Sequence, residues 1–220
     1  DSNGNIYTVA NSHQNIIKRD SSGTIIGTKT GLTWAEAIAI GPDGHLYCRD
    51  YVGSDQAILK IDLDTLDTIS NIILPNKSFN GMALDSDSYI YIINSTDDQI
   101  EKWNYSTGAR IAYHAIDPYH ETYNSMGVAG NLVGSIDIWH SHAWTIPKNL
   151  SVAETDWTLD TITDPDGVSS IDGDFLFIGY YGDPLVRIII GRYTEAKVKV
   201  WEVEIATSGN SLGCIAAYPF

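Results

Sequence analysis

The stretch from Phe79 to Asn94 recurs, degraded but legible, along the whole chain, and this self-similarity constrains the fold more than any other feature. Its fullest form begins with small and apolar residues (Gly81, Met82, Ala83, Leu84) and turns on Asp85 and Asp87. It returns through Tyr89, Ile90, Tyr91, Ile92 and Ile93. A tight acidic turn between a short apolar run and a β-branched, aromatic run reads as a β-hairpin. Clear copies occupy residues 37–47 and 167–177, and a weaker one, lacking the aspartate, lies at 125–133. The last copy is split: residues 212–217 supply its first strand and residues 1–7 its turn and return strand.

One return-strand position marks the period. Ile6, Leu46, Ile90, Leu132 and Leu176 are separated by 40, 44, 42 and 44 residues. A repeat of about 40–50 residues with four short strands is the signature of a propeller blade. The expected fold is therefore all-β, a five-bladed β-propeller with four antiparallel strands per blade. The ring is closed by the C-terminal strand pairing into the N-terminal blade, which leaves no open edge. A single domain over 1–220 is expected, with blades at about 1–30 plus 211–220, 34–75, 79–116, 123–160 and 166–206.

The wording of the repeat, apolar-Ala-apolar, then an Asp-Gly or Asp-rich turn, then Ile/Leu-Tyr, resembles the NHL and gluconolactonase-like propeller superfamily. Residues 37–47 and 165–177 carry it best. The resemblance spans all five repeats and implies an architecture, one that lyases, lactonases and binding modules share.

Acidic residues outnumber basic ones, 28 to 13, for a formal net charge of −15. Such a surface repels nucleic acid and anionic membrane. No apolar run is long enough to span a bilayer. The chain opens at Asp1 in a strand turn, without a Met, as a processed or excised domain would. Cys48 and Cys214 are expected to be two buried thiols rather than a disulfide. Asn76, Asn94, Asn104 and Asn149 each begin an Asn-x-Ser/Thr sequon and are candidate glycosylation sites. With the acidity, they point to an extracellular or cell-surface setting.

Chemistry is expected at one end of the blades, where second-to-third strand turns and inter-blade connections project together. His120 and Glu121 fall in the third-to-fourth blade connection. His140 and His142 form a His-x-His at a turn of the fourth blade, the least regular of the five. These four are candidate ligands for a divalent metal, Zn or Ca. Asp97, Asp98, Asp164, Asp166 and Asp183 would add a carboxylate rim. Against this, Trp139 to Trp144 also reads as a plain hairpin tip, and residues 62–67 read as a solvated acidic turn rather than a cation loop. Trp34, Phe79 and Tyr123 enter innermost strands and are expected to fill space between blades.

Nucleophile-elbow, phosphate-loop and dinucleotide patterns are absent, and no residue is assigned a catalytic role. The favoured reading is a non-catalytic binding module that recognises a protein or glycan through one face. One alternative is a metal-dependent lyase or hydrolase of NHL and gluconolactonase-like type. The other is a structural subunit of a larger extracellular assembly.

Overall fold

The computed structural model describes residues 1–10, 14–75, 77–116, 125–137, 142–152, 155–157, 164–171, 174–181, 187–196 and 199–206. Its strands form five antiparallel sheets, and no helix occurs among the described residues. Sheet one holds β1 (Ile6–Ala10), β2 (Asn15–Arg19) and β3 (Ile25–Lys29). Sheet two holds β4 (Ile38–Ile40), β5 (His45–Val52), β6 (Asp55–Asp62) and β7 (Thr68–Leu74). Sheet three holds β8 (Phe79–Leu84), β9 (Tyr89–Asn94), β10 (Gln99–Asn104) and β11 (Ala109–Ala115). Sheet four holds β12 (Met126–Ala129), β13 (Leu132–Asp137), β14 (His142–Pro147) and β15 (Thr155–Trp157). Sheet five holds β16 (Asp164–Ile171), β17 (Asp174–Tyr181), β18 (Arg187–Tyr193) and β19 (Lys199–Ala206).

Each sheet is a meander with its strands in sequence order, as short turns between antiparallel neighbours dictate. Sheet one has three strands among the described residues, and residues 212–217, expected to complete it, lie outside them.

The return strands explain how the sheets are stacked. A sheet with one wet face would alternate apolar and polar residues, yet β9 buries Ile90, Tyr91, Ile92 and Ile93 in succession. Both of its faces are covered. Ile90 and Ile92 join Tyr47, Ile58 and Leu74 of sheet two, whereas Tyr91 and Ile93 join Met126, Val133, Trp144 and Ile146 of sheet four. In the same way Leu46 and Cys48 pack towards Ile16 of sheet one. Phe175 and Phe177 of β17 pack with Ile136 and Ala143 of sheet four. Four such clusters link the five sheets in chain order, each fully buried Ile or Phe contributing about 1.5–3 kcal/mol. Trp103 and Tyr105 serve one of these interfaces, and the Tyr105 ring lies 5.2 Å from that of Tyr47.

First strands of neighbouring sheets come close: a Cβ on Gly81 of β8 would sit 2.6 Å from Met126 Cγ at the start of β12. The hydroxyl of Ser125 donates to the Val168 carbonyl at 2.6 Å and accepts from its N–H at 2.7 Å, joining the β12 start to β16.

The hairpin turns repeat one device. The left-handed backbone position just before the return strand is filled by Gly4 (φ 76), Gly44 (φ 73), Ser88 (φ 74) and Gly130 (φ 54). Three of these four copies use the residue that adopts this conformation without steric cost. Residues 62–67 form a self-capped turn in which Asp62 Oδ1 accepts from the N–H groups of Asp64 and Thr65, both at 2.8 Å.

Candidate functional site

Strand direction alternates, so β4, β8, β12 and β16 begin at the end of the sheets where the β5–β6, β9–β10, β13–β14 and β17–β18 turns lie. At this end of sheet two a polar group is built around Arg49. Arg49 lies on the face of β5 that also carries Tyr47 and looks towards sheet three. It is buried, its guanidinium 5.4 Å from the centre of the Phe79 ring. Its N–H donates to the Ala37 carbonyl at 2.9 Å, which brings the residue just before Ala37, Glu36, alongside. The Glu36 carboxylate pairs with Arg49, and its other oxygen accepts from the Trp34 indole N–H at 2.5 Å. Burial pulls the Arg49 guanidinium below its usual value, and the neighbouring Tyr51 and Asp50 oppose that shift.

The backbone around Trp34 is fixed from below. Buried Asp50 accepts from the N–H groups of Thr33 at 3.0 Å and Trp34 at 2.7 Å. Gln56 bridges the two sheets, donating to the Tyr51 hydroxyl at 2.9 Å and accepting from the Phe79 N–H at 2.6 Å. Phe79 fills space between sheets as expected. Trp34 does not: it is 47% exposed, because Asp50 holds its backbone at the sheet end and Glu36 holds its indole there. An exposed indole beside a fixed carboxylate offers a flat face and an acceptor to a ligand.

At the same end of sheet three, Glu101 is fully buried. Its Oε1 receives Asn94 at 3.1 Å, Lys77 at 3.1 Å and Arg110 at 2.8 Å, and its Oε2 receives the Trp103 indole at 2.8 Å. Burial pushes this carboxyl up, but the donors together outweigh it and hold it below the ordinary glutamate value. Lys77 also pairs with Asp97 at 2.6 Å, so Asp97 is committed to a structural network. This cluster anchors the connection from β7 to β8.

The expected metal ligands His120, Glu121 and His140 lie outside the described residues, as do Asp183 and Tyr123. His142 is described through its backbone, which opens β14 opposite Asp137 at the end of β13. The starts of β12 and β14 and the end of β13 therefore lie at one end of sheet four. Among the described residues no group of three His, Cys, Asp or Glu side chains is placed to hold a metal ion.

Cys48 is a buried free thiol, pushed well up by burial, while Cys214 lies outside the described residues. Of the sequon residues, Asn76 also lies outside them. Asn149 is exposed and Asn104 half-buried. Asn94 is fully buried and its amide nitrogen donates to Asp97 and Glu101, so in the folded chain it presents no amide for a glycan. The Glu36–Arg49 pair went unseen in the sequence, since neither residue belongs to the repeat pattern and only the β4–β5 ladder brings them together.

No family description and no curated protein matches the chain. Solved structures do. A streptogramin B lyase matches 98% of this chain and 70% of its own at 16% identity, with a TM-score of 0.67. Virginiamycin B lyase from Staphylococcus aureus, in selenomethionine form, matches 95% of this chain and 68% of its own at 18% identity and a TM-score of 0.65. A catalytically inactive histidine-to-alanine variant of the same enzyme with quinupristin matches 90% and 66% at 18% identity and a TM-score of 0.62. Likeness at this identity extends to the fold, which is propeller-like. The expectation of a non-catalytic binding module is corrected to this extent: three of the similar structures, matched over 90–98% of this chain, are lyases, beside proteins of unknown function matched over 93% and 91%.

Proposed function

We propose that the chain is a catalytic propeller, a lyase or hydrolase whose reaction centre lies at the end of the sheets where β12 begins. The observation that carries this reading is the match over 98% of the chain to a streptogramin B lyase. The similar structure that is inactive after a single histidine-to-alanine exchange supports looking for an imidazole at the centre.

In this reading the centre draws on His120, Glu121, His140 and His142. Three imidazoles and a carboxylate suit a zinc-like ion, whose chemistry when bound would be Lewis-acid polarisation of a substrate oxygen. In a lyase reaction a free carboxylate base takes a proton from the carbon beside a carbonyl. The freed electron pair forms a carbon–carbon double bond, and the bond to the leaving oxygen or nitrogen breaks. The leaving group departs with that bond's electrons and receives a proton from a second acid. His120, His140 and His142 would hold the ion, and Glu121 is assigned the base role. Trp34, held by Glu36, offers a stacking face at the same end of the sheets.

The narrower fold belongs to the same proposal: five blades of the NHL and gluconolactonase-like kind over residues 1–220, with residues 212–217 adding a strand beside β1. The acidic surface and the exposed sequon at Asn149 support an extracellular or cell-surface setting.

The test is incubation with a streptogramin B such as quinupristin, with and without added Zn or Ca, followed by mass spectrometry. Elimination conserves substrate mass across the products, whereas hydrolysis adds one water, so the product mass separates the two reactions. Recovery of intact substrate under all conditions would overturn the proposal.

A further inference from the structure

The blade does not need the indole of Trp34. Counting the 44-residue step from the second repeat to the third, Trp34 corresponds to Ser78 and Ala35 to Phe79. Ala35 and Phe79 are both fully buried and pack between sheets, so Trp34 is an addition to the repeat and not a part of its core. The indole is nevertheless held in place. Asp50 accepts from the N–H groups of Thr33 and Trp34, and Glu36, itself paired with Arg49, accepts from the ring nitrogen. Drawing Asp50 out of water costs desolvation, and the side chain it helps to fix stays 47% exposed and returns little packing.

Most exposed large apolar side chains among the described residues lie along outer strands, as Ile26 of β3, Ile69 of β7 and Ile111 of β11 do. Val52, 41% exposed, does not. It ends β5 on the face that carries Asp50, one step beyond the carboxylate that holds Trp34. Trp34 and Val52 therefore stand at the same end of sheet two, the end at which β12 begins in sheet four.

The chemistry of a matching group follows from what is already committed. With its N–H given to Glu36, the indole offers its flat π surface, and Val52 adds an apolar neighbour. Two carboxylates, Glu36 and Asp50, stand against one guanidinium, Arg49, on a chain of net charge −15, which disfavours an anion there. A flat ring without negative charge fits both conditions.

We propose that Trp34 is a specificity-determining residue that stacks on a flat, non-anionic ring of the substrate, with Val52 packing beside it. This rests on the catalytic reading above and adds to it the kind of group the substrate must carry. Because Asp50 and Glu36 fix the indole before the substrate arrives, little ordering remains to be done on binding.

Steady-state turnover of quinupristin, which carries aromatic side groups, by wild-type and variant chains tests this. Trp34→Ala raises KM about tenfold and leaves kcat and the melting temperature at wild-type values, as loss of a contact made equally in the bound substrate and the transition state does. Trp34→Phe keeps a flat face, gives up the bond to Glu36 and recovers most of the loss. Trp34→Leu, apolar but not flat, recovers little. A Trp34→Ala chain with the wild-type KM would overturn the proposal, and so would a Trp34→Leu chain that recovers as much as Trp34→Phe. Calorimetric titration of the same chains with quinupristin separates this proposal from the catalytic reading. Binding without turnover that weakens about tenfold in Trp34→Ala removes the catalytic reading and supports the stacking role. A wild-type chain that does not bind at all overturns both.

Discussion

Tyr91 and Lys102 face one another across β9 and β10, with the Lys102 ammonium 5.4 Å from the centre of the Tyr91 ring. The same cross-strand pair recurs as Tyr7 with Lys18 at 5.8 Å and Tyr47 with Lys60 at 5.9 Å. In each of the three sheets the tyrosine hydroxyl donates to an aspartate of the preceding turn: Asp1 at 2.8 Å, Asp43 at 2.9 Å and Asp85 at 3.0 Å. Lys18 and Lys102 then donate to a carbonyl of the next sheet, Leu63 and Lys148 respectively. The motif closes a turn and clasps a neighbour at once. It stops at sheet four, where the paired positions are Val133 and Ile146.

Tyr91→Phe therefore removes a donor from a buried carboxylate. Burial, with Asp85 adding to it, raises the Tyr91 phenol well above its ordinary value, so the hydroxyl stays protonated and donating. The expected cost is about 1–3 kcal/mol, read as a lower urea midpoint at unchanged slope. A midpoint equal to wild type would show that Lys148 and the N–H groups of Asp87 and Tyr89 satisfy Asp85 without the phenol.

Ser88 occupies with φ 74 the position that Gly4 and Gly44 fill in the other hairpins. A side chain there costs about 1–2 kcal/mol, part of which glycine returns as unfolded-state entropy. Ser88→Gly should raise stability by about 0.5–1 kcal/mol, measured as a higher melting temperature. The mirror exchange Gly44→Ser should lower it.

Glu101 gives the chain a defined acid sensitivity. Its folded-state value is depressed, so its stabilising contribution is present above the ordinary glutamate range, about pH 4.5, and is lost as pH falls through the depressed value. Glu101→Gln should melt well below wild type at pH 7, and the gap should close as pH is lowered towards 2. A gap that is independent of pH would place the effect in packing and not in charge.

Breaking the pair at the start of β4 should also be costly. Glu36→Gln leaves Arg49, 4% exposed, without its counter-charge. Because the Glu36 side chain is itself 23% exposed, the loss should fall somewhat below the roughly 3–5 kcal/mol of a fully buried pair. Exchanging both residues, Glu36→Gln with Arg49→Met, should recover part of the stability in a double-mutant cycle.

The repeat made the sheets legible because each copy writes its own hairpin. β9 starts at Tyr89, where the β-branched and aromatic return run follows the turn on Asp85 and Asp87. First strands were harder to bound. β4 starts at Ile38, just inside the repeat copy that begins at residue 37, and ahead of it Thr33 and Trp34 give their N–H groups to Asp50. β16 begins at Asp164, ahead of the repeat copy at residues 167–177, through an irregularity between Pro165 and Gly167 of the kind that accommodates a proline.

The site was less legible than the fold, for a physical reason. Functional geometry at the ends of stacked sheets is made by residues from different strands, as with Glu36 and Arg49, and no spacing rule connects them. Asn94 shows the reverse case: its sequon is visible in sequence, yet the residue is consumed by Glu101 and Asp97 inside the fold.

Turnover of a streptogramin B by the wild-type chain and by the His140→Ala, His142→Ala double variant is the most direct measurement. The account predicts product from the wild type and a loss of at least about a hundredfold in kcat for the variant, at unchanged melting temperature. Equal turnover by both chains would remove these histidines from the centre, and no turnover by either would contradict the catalytic reading itself.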